Sequence, residues 1–239
     1  MQPRGEIKEM PGEVIKIDNV SKIYSTEGID VHALRSLSLG IKKGAFIAIA
    51  GPSGSGKTTL LNIMSGLDVP SSGSVLLAGK YMSEMKGSEL SDFRRDHIGF
   101  IFQAYNLIPV LTVKENIEYI MLLQSVGEGE RRSRVAAILQ QVGLKGMENR
   151  LPKQLSGGQQ QRVAVARAMV SNPDMILADE PTANLDSATG AALLDMMREL
   201  NDKNGMTFVF STHDTMIMER AKRLVLLKDG EIDKDEVRG

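Results

Sequence analysis

Apolar positions along this chain follow two rhythms. In the first third they form short runs: VIKIDNV at 14–20, LSLGI at 37–41, AFIAIAG at 45–51 and SVLLAG at 74–79. AFIAIAG is continuously apolar and ends in glycine, as a strand buried on both faces of a parallel sheet does. Between residues 106 and 152 the period lengthens. Val113, Ile117, Ile120 and Met121 share one helical face, and Thr112 with Glu115 has capping-box spacing at its start. Val135, Ile138, Leu139 and Val142 repeat that spacing, with Gly143 as the stop. Strands and helices then alternate. MILAD (175–179) reads as a buried strand, and Leu193, Met197 and Leu200 mark a helix ending at Asn204-Gly205. TFVFS (207–211) is a strand, and LVLLKDGEI (224–232) a hairpin turned at Asp229-Gly230. The pattern predicts one α/β domain over 13–239. Its core spans 13–103 and 155–239, a helical insert spans about 104–154, and residues 1–12 form a flexible tail.

Composition narrows the classes. A net charge of −1 excludes a strongly basic nucleic-acid binder on bulk charge. The local cluster Arg131, Arg132 and Arg134 reads as a solvated helix face. Without cysteine the chain has no disulfide, thiolate nucleophile or Cys-ligated metal. The 14 methionines fall mostly on apolar faces and read as core filler. No run reaches the roughly 18 apolar residues that span a bilayer, so any membrane-crossing part belongs to another chain.

The first chemical signal is Gly51-Pro-Ser53-Gly54-Ser55-Gly56-Lys57-Thr58, which fits G-x-x-x-x-G-K-[ST] between the strand AFIAIA and the helix TTLLNIMSG. Glycines let backbone N–H groups curl around phosphate oxygens, and the helix N-terminus adds partial positive charge. Lys57 is expected on the β- and γ-phosphates and Thr58 on Mg²⁺, with Thr59 completing the nucleotide contacts. MILADEP supplies the partner on a neighbouring strand: Asp179 toward the metal and Glu180 to polarise the attacking water as general base.

A second turn resembles a phosphate seat. LSGGQQQRVAVARA (155–168) opens a helix with two glycines, although each costs about 1 kcal/mol against alanine. Ser156 and Gln159 fit a capping box, which explains those two residues. It leaves Gly157 and Gly158 without a cause unless a ligand approaches the bare backbone.

Taken together the motifs resemble the ATP-binding subunit of an ABC transporter, from about residue 13 to 232. The motifs are the loop at 51–58, Gln103 after FIF, LSGGQ at 155–159, Asp179-Glu180, ANLD at 183–186 and His213 after TFVFST. The resemblance implies a P-loop NTPase (RecA-like) α/β core, an N-terminal antiparallel β subdomain and an inserted α-helical subdomain. It implies ATP and Mg²⁺ as ligands, with Gln103 sensing the metal and the lytic water, and His213 on the γ-phosphate. Asp186 would carry signals between two sites, and Tyr24 would stack on adenine. Ser156, Gly157, Gly158 and Gln159 would grip the γ-phosphate held on Lys57 of a second copy, in a head-to-tail dimer. The expected partners are that second copy and an integral membrane permease, with no nucleic acid, on the cytoplasmic face of the cell membrane.

SGLDVPSSGSV and FRRDHIGFIFQAYNLIPVLTVKENI further resemble the branch serving lipoprotein release and macrolide or peptide export, whose permeases often work by mechanotransmission. A cell-division cassette that signals without transport stays open beside it. Tyr105 departs from the phenylalanine or histidine frequent at that place.

Overall fold

The computed structural model describes residues 12–26 and 29–238, so the tail expected at 1–12 lies outside it except for Gly12. Two sheets are built. The first is antiparallel, from β1 (Glu13–Thr26), β2 (Ile29–Lys42), β4 (Ser72–Leu77) and β5 (Lys80–Tyr81), in the order β2-β1-β4-β5. The second contains β3 (Phe46–Ala50), β6 (Ile98–Ile101), β7 (Met175–Asp179), β8 (Phe208–Thr212), β9 (Arg223–Lys228) and β10 (Glu231–Val237). Its order is β10-β9-β3-β8-β7-β6, parallel except for the β9–β10 hairpin.

All five residues of β3 are buried, as its unbroken apolar run demands. Phe46, Phe208 and Phe210 meet across β3 and β8, with Phe46 ring centroids 5.7 and 4.8 Å from the other two. The hairpin turns where both central residues take positive φ, Asp229 at 50° and Gly230 at 83°, which matches strand twist.

Seven α-helices occur among the described residues: α1 (Lys57–Met64), α2 (Gly87–His97), α3 (Val113–Leu123), α4 (Glu128–Gln141), α5 (Gly157–Met169), α6 (Ser187–Asn204) and α7 (Thr215–Arg220). The boxes read for α3 and α5 are formed: Glu115 N donates to Thr112 Oγ1 at 3.3 Å, and Gln159 N to Ser156 Oγ at 3.3 Å. Gly205 ends α6 in the left-handed region, at φ 66°. In α4, Arg132 and Arg134 pair with Glu128 and Glu130 one turn earlier on the helix surface. Arg131 departs from the solvated face expected of the cluster: it turns inward, donates to Val126 O at 2.6 Å and lies 3.7 Å from the shielded Glu118. Helix α2 was not anticipated, because its polar sequence GSELSDFRRDH buries only Leu90 and Phe93.

One expectation needs correction. The strand ending in Asp179-Glu180 does not adjoin the strand feeding the phosphate loop, because β8 pairs with both β3 and β7 and separates them. Local apolar pattern identifies buried strands but carries no order for them, and parallel strands joined by crossovers seldom reveal their neighbours in sequence. The C-terminal end of β8, Ser211-Thr212, and the following His213 therefore fall between the ends of β3 and β7.

Candidate active site

The loop after β3 bends into α1 through Gly54 (φ 79°) and Gly56 (φ 101°). At Gly56 a side chain is barred twice, since a Cβ would also stand 2.5 Å from Ala33 O on β2. Lys57 Nζ donates back to Gly51 O at 2.7 Å and Pro52 O at 2.9 Å, which fixes the ammonium at the mouth of the loop. A cleft of about 690 Å³ opens there. Ser53, Gly54, Gly56, Lys57, Thr58 and Thr59 line one side of it; Gln103, Asp179, Glu180, Ser211 and His213 line the other. Elements far apart in sequence thus meet at the C-terminal ends of parallel strands, where α/β sheets bind ligands.

Glu180 sits just past β7 with φ 44°, a left-handed conformation that costs a glutamate on the order of 1–3 kcal/mol. Its amide donates to Ser211 O at 2.9 Å. Its side chain is almost fully satisfied: Oε2 accepts from Thr212 Oγ1 at 2.9 Å, and Oε1 from His213 N at 3.0 Å. His213 Nδ1 lies 2.6 Å from the same Oε1. An ionised carboxylate only accepts, so beside an ionised Glu180 the Nδ1–H of the ring is the donor in this contact. Sequence reasoning treated Glu180 and His213 separately and overlooked Thr212 and Ser211. The only signal for these two was a pair of hydroxyl residues ending an apolar strand.

Mg²⁺ takes oxygen donors, often one or two carboxylates plus waters and substrate phosphates. The Thr58 hydroxyl, the Asp179 carboxylate and the Gln103 amide around this cleft suit it. Among the described residues no three His, Cys, Asp or Glu form a cluster able to hold a metal alone. The buried Ser211 Oγ, on the cleft wall without a hydrogen-bond partner, adds a further unused oxygen.

Other expected residues stand outside the cleft lining. Ser55 is buried, with its hydroxyl unpartnered. Tyr24 is held by its hydroxyl, which donates to Asp68 Oδ2 at 2.6 Å, while Lys22 Nζ lies 4.9 Å from the ring centre. Burial and the Asp68 carboxylate raise the Tyr24 phenol above its ordinary value. Partial burial pushes the Asp68 carboxyl up, but hydrogen bonds from Lys22 and Tyr24 prevail and hold it below the usual carboxylate range. Asp186 caps α6 and is lowered by hydrogen bonds from the Thr189 hydroxyl and amide.

The signature turn, Ser156 to Gln159, is also not among the residues that line this cleft. Its glycines have causes that the sequence did not disclose. A Cβ on Gly157 would meet the Tyr105 hydroxyl at 3.0 Å, and one on Gly158 would meet Thr189 Cγ2 at 2.4 Å. Close packing within the chain therefore accounts for Gly158 without any ligand. Tyr105 itself has φ 56°, and its carbonyl and that of Asn106 accept from Arg167 of α5 at 2.8 and 2.5 Å. Burial pushes the Arg167 guanidinium below its ordinary value.

Fold and cleft define a P-loop nucleoside triphosphatase. Residues 34–183 match the ABC transporter family. An uncharacterized ABC transporter ATP-binding protein of Methanocaldococcus jannaschii, MJ0796, is 44% identical over 227 residues, covering 93% of this chain and 97% of that protein. The macrolide export ATP-binding/permease protein MacB of Mannheimia succiniciproducens is 43% identical over 222 residues, which is 93% of this chain and 34% of MacB. The dimeric post-hydrolysis structure of MJ0796 bound to ADP and Pi superposes with a TM-score of 0.85 at 43% identity, covering 94% of this chain and 99% of that one. CbiO1 of Clostridium perfringens, part of the cbiONQ transporter complex, matches with a TM-score of 0.86 at 27% identity, over 95% of this chain and 89% of that one. The chain belongs to the ABC transporter family: it is an ATP-binding cassette and an ATP hydrolase.

Proposed function

We propose that two copies of this chain bind two ATP molecules head to tail and that closing and opening of the pair drives a separate membrane permease. The observation that carries this reading is that, of two phosphate-seat turns, one lines the chain's own cleft and the other does not. The loop at 51–58 opens on the cleft, whereas Ser156 is exposed and lies outside it. An exposed helix start outside the lining of its own chain's cleft fits a ligand held by another copy. The dimeric structures of the relative MJ0796, one of them bound to ADP and Pi, support pairing of two copies.

Within each half-site, backbone N–H groups of 53–58 and Lys57 hold the phosphates, and Thr58, Gln103 and Asp179 would hold Mg²⁺, which neutralises phosphate charge. Each charge-assisted hydrogen bond contributes about 1.5–3 kcal/mol, so phosphate recognition dominates affinity. Glu180 orients and deprotonates the attacking water, its carboxylate aimed by Thr212 and His213. Tyr24 offers a ring to adenine, and Ser156 to Gln159 grip the γ-phosphate on the other copy.

The permease is of the mechanotransmission type, acting in lipoprotein release or in macrolide or peptide export; the similarity to MacB supports this branch. No helix of the described residues is long and apolar enough to cross a membrane. In this reading the cassette works from the cytoplasmic face on a partner's spans. Light scattering of Glu180→Gln with and without ATP tests the pair directly: it should be dimeric only with ATP, and a monomer at saturating ATP overturns the reading. Co-purification with a four-span permease bearing a large extracytoplasmic domain tests the branch.

A further inference from the structure

Gly158 lies in the first turn of α5 and Thr189 in the first turn of α6. A Cβ at Gly158 would stand 2.4 Å from Thr189 Cγ2, far inside carbon–carbon contact. The methyl has no free retreat. Thr189 is β-branched, so Cγ2 and Oγ1 turn together about χ1. Oγ1 donates to Asp186 Oδ2 at 2.6 Å, while Thr189 N donates to Oδ1 at 3.0 Å. Turning the methyl away from residue 158 would swing the hydroxyl off the carboxylate. Glycine at 158 and the doubly bonded Asp186 therefore depend on one rotamer.

A second tie runs beside the first. Gln161, also on α5 and fully buried, donates from Nε2 to Pro181 O at 2.8 Å, immediately after Glu180. The start of α5 is thus fastened to segment 180–189 of its own chain at two points. One fastening lies next to the residue that faces the cleft, the other at the cap of α6.

We propose that Thr189 is a positioning residue that locks the signature turn to Asp186, so that the turn and the Glu180 segment of one chain move as a unit. This rests on the head-to-tail reading, in which the turn serves the partner's ATP while Glu180 serves its own. A shift at one site then reaches the other through Thr189 rather than through nucleotide. Gly158 is required by the Thr189 methyl, and this requirement is separable from any demand of an approaching phosphate. Thr189→Ser deletes the methyl and keeps the hydroxyl on Asp186.

Steady-state ATP hydrolysis by the full chain tests this, with thermal unfolding as the folding control. Gly158→Ala should lower kcat about tenfold or more with KM changed less than about twofold, and Gly158→Ala/Thr189→Ser should regain kcat to within about threefold of wild type. Thr189→Val keeps the shape but loses the donor; it should fold normally and lose kcat several-fold at unchanged KM. A double variant as slow as Gly158→Ala, or Thr189→Val with wild-type kcat, overturns the proposal. If Gly158→Ala does not fold, Thr189→Val decides alone. If the wild-type chain never dimerises with ATP, the head-to-tail reading fails, while recovery of kcat by Thr189→Ser still decides the role of Thr189.

Discussion

His213 grips Glu180 twice: Oε1 accepts the His213 backbone N–H at 3.0 Å and lies 2.6 Å from the ring Nδ1. The carboxylate is largely shielded, with 15% side-chain exposure, and the imidazole is open at 74%. The exposed ring and the His213 amide together hold the direction of the Glu180 carboxylate. Glu180→Gln should cut hydrolysis by about 10²–10⁴ while sparing ATP binding. His213→Ala frees Oε1 and should lower kcat with little change in KM. Wild-type turnover in Glu180→Gln, read by phosphate release, removes the base from its role.

The phosphate loop depends on β2 as well as on its own glycines. Gly56→Ala would force a side chain at φ 101° against Ala33 O, 2.5 Å away. Calorimetric titration should show ATP affinity reduced by at least about tenfold, as for Lys57→Ala, which removes the loop's cation. Unchanged affinity in either variant contradicts this seat.

Base selectivity should be weak. One aromatic stack is worth about 1–3 kcal/mol and accepts any base, against several phosphate bonds. Competition binding should place GTP within about tenfold of ATP; complete rejection of GTP is the contrary result.

Asp68 gives a pH signature. Its folded carboxyl lies below the unfolded value of about 3.9, so the stability it contributes is complete above that pH and is lost as pH falls through the folded value. In urea melts, wild type should exceed Asp68→Asn by a constant margin above about pH 5, and the margin should shrink only below about pH 4. A margin that shrinks between neutrality and pH 5 would show that Asp68 does not anchor Lys22 and Tyr24 as a carboxylate.

Arg167 closes two carbonyls, those of Tyr105 and Asn106, just beyond Gln103. Arg167→Met should destabilise the chain by about 1–3 kcal/mol in denaturant, because the two acceptors lose their charged donor. A stability equal to wild type would show that solvent replaces the guanidinium.

Much of this could be read from residues alone. AFIAIA, MILA and FVF announce buried strands because each is continuously apolar, and the caps at Thr112, Ser156 and Gly205 rest on short-range spacing. What escaped depends on contacts across the chain. The place of β8 between β3 and β7 leaves no trace in either strand's sequence. Thr212 and Ser211 gain meaning only once that placement puts them beside Glu180. The glycine at 158 faces a threonine 31 positions later (189 − 158), and no local pattern predicts that meeting. Helix α2 hid because its apolar face is two residues wide.

The most direct measurement mixes two disabled chains. Lys57→Ala lacks a working phosphate loop and keeps its signature turn; Ser156→Arg keeps the loop and blocks the turn. Alone, each should be nearly inactive. Mixed, they should form heterodimers with one intact composite site and regain a clear fraction of wild-type ATP hydrolysis, because loop and turn come from different copies. Turnover of the mixture equal to the sum of the separate variants would contradict the head-to-tail site, as would full activity of Ser156→Arg by itself.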